Sequence, residues 1–313
     1  MGYQGSPADA PHPARRPPDS RPNRHDTVSG VARHRTSFAT LTRRGPHKVL
    51  RGDLRFAGVR GVVYTPASGF KLPGVAFGHD WLTGVEHYTA TLEHLASWGI
   101  VAAAPDTERG LAPSVLTLSG DLARVLEVIC GVRLGPGQIS VDPAALALAG
   151  HGFGGSAAVF AASGSPDVRA AAAVFPAVTK PSAEAAAASL TVPGLVLATP
   201  DDAISLRTDA LEVGRAWDGA VLRVVDKAVL GKTKAAGLSE KRRLSRLVGL
   251  SGSSNRTQKS VRALLTGFLL FHLTGDKSCK QFADAGADLP HTSRPDPDAA
   301  PVSAEDRIAA LFR

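Results

Sequence analysis

The residues able to do chemistry gather around one turn. Gly150-His151-Gly152-Phe153-Gly154-Gly155 carries an imidazole, and His79-Asp80-Trp81 and Asp202 each come closely after an apolar run. Imidazoles beside carboxylates are the parts of general acid–base and acyl-transfer chemistry, the imidazole moving the proton and the carboxylate orienting it. The set lacks an attacking group. The centre of the turn is Gly152, and the next hydroxyl is Ser156, four residues on. Ser156 falls on the first turn of the next helix, where a capping or packing role is expected. As metal ligands, His79, Asp80 and His151 fall short of the three or four supported ligands of a structural or catalytic site, so no metal is expected. No cofactor is expected either.

Strands and helices must bring these residues together. Ala144–Ala149 is an apolar run, and a small apolar helical pattern continues from the glycine turn to Ala162. The other strand candidates are Arg60–Pro66, with Asp53–Ala57 beside it, Pro73–Gly78, Ile100–Ala104, Ala170–Phe175, Gly194–Thr199 and Leu222–Val225. Helical spacing covers Glu86–Trp98, Ser114–Cys130, Thr208–Trp217 and Thr257–Thr274. This alternation predicts an α/β fold with a mostly parallel central sheet and helices on both faces. Ligands of such sheets bind beyond the carboxyl ends of the strands. That rim would hold His79, Asp80, Asp106, His151 and Asp202. Asp106 and Glu108 read as loop and cap residues, and Trp81 as a pocket-lining or core residue.

Two motifs compete for the turn. Gly150-x-Gly152-x-x-Gly155 matches the dinucleotide fingerprint, but the carboxylate expected after the next strand is missing, because Pro176–Lys180 carries none. The turn also lies where a strand–turn–helix G-x-S-x-G would hold a nucleophile in strained geometry. Such strain costs a non-glycine residue about 1–3 kcal/mol, and glycine adopts it freely. Glycine at 152 is what remains when selection for the nucleophile lapses and selection for stability continues.

Residues 46 to 290 resemble the dienelactone-hydrolase-like α/β-hydrolases, and within them the bacterial cutinase-like polyester hydrolases. Val75–Asp80 is similar to that branch's oxyanion loop, Leu95–Ala102 to its next helix and strand, and Asp142–Gly155 to its elbow, apart from the serine. Pro193–Ala198 with Asp201-Asp202 resembles its strand and catalytic acid, and Thr274–Asp276 with Cys279 its last helix exit. The resemblance implies an α/β-hydrolase fold with the nucleophile position at Gly152 and the acid position at Asp202. It also implies a histidine near Val229–Thr233, yet none occurs between His151 and His272, and His272 reads as a packing residue. Without serine and histidine, acyl transfer has no attacking group and no proton carrier. The expectation is a non-catalytic ligand-binding or regulatory pseudoenzyme. The backbone N–H groups of His79 and Phe153 would form an oxyanion-type hole, with Asp80, Trp81 and His151 around a small acyl-type ligand. The alternative is an unconventional hydrolase of small acyl esters using His79, Asp80 and His151.

Composition bounds the rest. The chain has 313 residues, 43% of them hydrophobic, enough for one domain, read as 34–290. Residues 1–33 are rich in Pro and Arg and read as disordered, with no secretory signal, and 291–313 as a tail with a short helix at Ala304–Leu311. No apolar run is long enough to span a bilayer. The two cysteines, Cys130 and Cys279, fit a reduced cytoplasmic location. The net charge of +8 matches the local excess in 226–262. Within it a short basic amphipathic helix would place Lys241, Arg242 and Arg246 opposite Leu244, Leu247 and Val248. This segment reads as a lid or, in a second alternative, as a docking module in which Lys241, Arg242, Arg243 and Arg246 meet an anionic membrane or acidic protein. Scarce aromatics argue against nucleic acid.

Overall fold

The computed structural model describes residues 1–2, 36–228 and 255–296. Lys241, Arg242, Arg243 and Arg246, the helix expected at Ala304–Leu311 and nearly all of the 1–33 tail lie outside the described residues. The chain divides into units Met1–Arg33 and His34–Arg313, and every strand and helix named below belongs to the second.

Its centre is a nine-stranded sheet in the order β1-β2-β4-β3-β5-β6-β7-β8-β9. The strands are β1 (Val49–Asp53), β2 (Gly61–Pro66), β3 (Gly69–Gly78), β4 (Val101–Pro105), β5 (Ile139–His151), β6 (Ala170–Val174), β7 (Gly194–Ala198), β8 (Ala220–Val225) and β9 (Thr292–Ser293). The run from β4 through β3, β5, β6 and β7 to β8 is parallel, and β1, β2 and β9 join antiparallel at the two edges. Of the parallel strands, β4, β6 and β7 are five residues each and continuously apolar, as strands buried on both faces must be.

One face is covered by α1 (Phe38–Leu41), α2 (Thr89–Ser97) and α7 (Asn255–Thr274), whose Leu92, Leu95, Leu264 and Phe268 are buried in one core. The other is covered by α3 (Val115–Gly131), α4 (Phe153–Ser163), α5 (Ala183–Ala187) and α6 (Ala210–Ala216), with Leu118, Leu122, Ala157 and Val213 in a second core. Ser114 starts α3 by accepting the Thr117 N–H, and Gly99 ends the α2 segment in a left-handed conformation.

Several boundaries differ from the sequence reading, β3 starting at Gly69 rather than Pro73 and α2 at Thr89 rather than Glu86 among them, and two bear on the sheet. The partner of β2 is Val49–Asp53, not Asp53–Ala57, because the Asp53 carboxylate accepts the Arg55 N–H and turns Leu54–Ala57 into a 3-10 helix. The central strand begins at Ile139, with register shifts that carry it past Asp142-Pro143. Among the described residues, no helix is long and apolar enough to cross a membrane.

Candidate functional site

Because β3 to β7 run parallel, their carboxyl ends share a rim. His79 comes directly after β3, Asp106 directly after β4, His151 ends β5, and Asp202 comes four residues after β7. Gly152 links β5 to α4 at φ +57° and ψ −122°, a backbone that favours glycine. Its carbonyl accepts N–H groups from Gly155, Ser156 and Ala177, and its own N–H donates to Val174. Glycine is also required at 78, 150 and 154, where α4 meets the strand ends backbone to backbone and any Cβ would collide.

The space above Gly152 is filled by Asp80. A Cβ on Gly152 would fall inside the Asp80 carboxylate. Asp80 Oδ1 accepts the Phe153 N–H at 2.9 Å and the Trp81 N–H at 2.8 Å. The Phe153 amide is the first of α4, where an unpaired donor and the positive end of the helix dipole favour an anion. The sequence left this amide for a ligand, but the chain's own carboxylate takes it.

Behind Asp80 lies a buried aromatic cluster. The Tyr88 hydroxyl accepts the Asp80 N–H at 3.1 Å and pairs with His151 Nδ1 at 2.9 Å. The His151 ring packs against Tyr88 and edge-on to Phe175. Burial lowers the His151 pKa, and the nearby Asp80 charge raises it by less. The same burial pushes the Tyr88 hydroxyl well above its ordinary value, with the Asp80 charge adding to it. A neutral imidazole whose Nδ1 takes the Tyr88 proton satisfies both groups. His151 Nδ1 lies 3.9 Å from Asp80 Oδ2.

The other rim residues are occupied elsewhere. His79 is fully buried, its ring nitrogens 2.9 Å from the Asp80 carbonyl and 2.7 Å from the Thr107 carbonyl. It clamps the 79–84 loop to the β4–α3 connection. Asp202 Oδ2 accepts the N–H of Leu211, the second residue of α6, at 2.9 Å, so the expected acid position serves a helix start. Asp106 pairs with Arg60 and Arg109, and Glu108 accepts the Ser114 N–H. Ser156 is buried and donates to the Ala177 carbonyl. Trp81 belongs to neither core. It is 46% exposed and hydrogen-bonds through Nε1 to the Gly110 carbonyl. His272 is half-buried against Phe268 and Phe271.

Thus Asp80, His151 and Phe153 converge with Gly152, and the side chains of His79 and Asp202 take other partners. Tyr88 was missed, lying within the expected helix Glu86–Trp98 with no role of its own assigned. The available signal was that a buried tyrosine hydroxyl needs a partner. A cavity of about 720 Å³ lies at the opposite end of the sheet, between α3 and the α4–β6 turn, lined by Leu126, Cys130, Leu146 and Arg169 among others. A second, of about 270 Å³, opens beside β1 and β2. Among the described residues no group of three or more His, Cys, Asp or Glu is placed to hold a metal ion. No protein-family model and no curated protein matches the chain.

Proposed function

We propose that this chain is a non-catalytic protein of α/β-hydrolase type, working by binding or regulation rather than by ester turnover. The observation that carries the reading is the Asp80 carboxylate. It occupies the place a nucleophile would need and takes the Phe153 N–H that would stabilise an oxyanion. Acyl transfer needs an attacking group, a proton carrier and free donors where negative charge develops. Gly152 offers no attacking group, His151 is buried with Nδ1 on Tyr88, and one of the two expected donors, the Phe153 N–H, is taken. What the rim offers a partner is its surface, where Trp81 and Leu82 after β3 and Ile204 and Leu206 after β7 are exposed. A small acyl-type ligand remains the ligand class this reading favours, at a turn opened by movement of Asp80.

Hydrolysis of short-chain p-nitrophenyl esters tests it. The expected rate is the uncatalysed background, unchanged in Asp80→Ala and His151→Ala. Turnover that falls in either variant would instead make Asp80, His151 and Tyr88 an unconventional hydrolase site, the one enzymatic reading that their convergence supports.

A further inference from the structure

The loop that carries Asp80 is pinned through its backbone. The Asp80 N–H donates to Tyr88, and its carbonyl accepts the Thr83 N–H at 3.2 Å and lies 2.9 Å from His79 Nδ1. The side chain is held separately, by hydrogen bonds rather than by the path of the chain. It is 18% exposed, and its carboxylate is held inward by the Phe153 and Trp81 amides. Rotation about the side-chain bonds would carry it to solvent, where water replaces both donors, and would leave the Phe153 N–H without its acceptor. The inward position exists only because residue 152 has no side chain. The clash facing a Cβ there is with the far end of a flexible side chain, not with backbone, so one of the two groups can yield.

We propose that Asp80 is a built-in plug. Its carboxylate and a side chain at position 152 are alternative occupants of one space, and the plug closes this turn independently of the missing hydroxyl. The proposal takes from the binding reading only the location of the site. It also fixes the chemistry of the space: backbone donors at the start of a helix, facing a carboxylate. A serine placed at 152 alone would have to expel Asp80 before it could face any ligand. Loss of the carboxylate would leave a vacancy shaped for a small carboxylate.

A double-mutant cycle on the full chain tests this, read as melting temperature for wild type, Gly152→Ala, Asp80→Gly and the double variant. Gly152→Ala is expected to lower the melting temperature in wild type through both backbone strain and expulsion of the carboxylate. In the Asp80→Gly background the strain remains and the collision is gone, so the loss should fall to roughly half or less. Asp80→Ser serves as the second background should Asp80→Gly not fold. Sodium formate is the probe of the vacancy. It should raise the melting temperature of the Asp80 variant above the value in sodium chloride at equal ionic strength, and should give wild type no such excess. Additive losses, or a formate response no larger in the variant than in wild type, would overturn the proposal. Ester turnover does not enter the cycle, so a failure of the non-catalytic reading would register separately.

Discussion

Two carboxylates on one rim have been put to the same use in different surroundings. Asp80 reaches from the β3 loop to the first amide of α4, and Asp202 reaches from the β7 loop to the second residue of α6. Both answer the orphan N–H groups that every helix start exposes. Asp202 is fully buried, whereas the Asp80 side chain is 18% open to water. The contrast separates a fully buried carboxylate from a partly solvated one. A buried carboxylate that loses its acceptor role leaves a donor with no substitute, whereas water can reach the donors beside Asp80.

Stability measurements can break or sharpen this contrast. The largest effect comes from neither carboxylate and sets the pH at which they should be compared. His94 on α2 is buried, and burial, with the Arg262 charge adding, lowers its pKa to about 4. The unfolded chain then takes up this proton below its ordinary value near 6.5 while the fold resists it. The contribution of this group, about 3 kcal/mol, should be lost as pH drops from about 6.5 to about 4. Urea titrations at several pH values check this, and His94→Leu should flatten that limb. His151, lowered in the same direction by its burial, adds to the loss as pH falls below its ordinary value. Above that window, Asp202→Ala is expected to cost about 2 kcal/mol, the value of a buried acceptor removed from a helix start. Asp80→Ala should cost about 1 kcal/mol, because solvent can replace its oxygen. Equal losses in the two variants, in urea melts at neutral pH, would erase the distinction. A larger loss for Asp80 would reverse it.

Much of the frame was legible because its signals are local. Runs such as Ala170–Val174 and Gly194–Ala198 can only be buried strands in this alternation, and Ser114 marks its helix start by side-chain chemistry alone. Helix α5 was not legible, since the five residues Ala183–Ala187 are too few for a period to show. The edge strand was displaced because Asp53, which looks like the start of a strand, spends its side chain on Arg55 and ends one. At the site, the glycine turn and the residues of the rim could be named from spacing. Their directions could not. Whether Asp80 turns toward Gly152, whether the His79 ring reaches Thr107, and whether Tyr88 meets His151 depend on contacts between residues 28 to 73 positions apart in the chain. Position on a rim comes from strand order; the aim of a side chain comes from packing.

The glycines at 78, 150 and 154 carry a consequence beyond the space they save. Where α4 crosses the ends of β3 and β5, main chain rests on main chain, with no side chain between them to compress or change rotamer. Such a bearing has no compliance. The height of the Phe153 amide above the sheet is therefore set by the thickness of two backbones, and a single methyl group at any of the three positions would act as a wedge, lifting the helix start and every donor on it together.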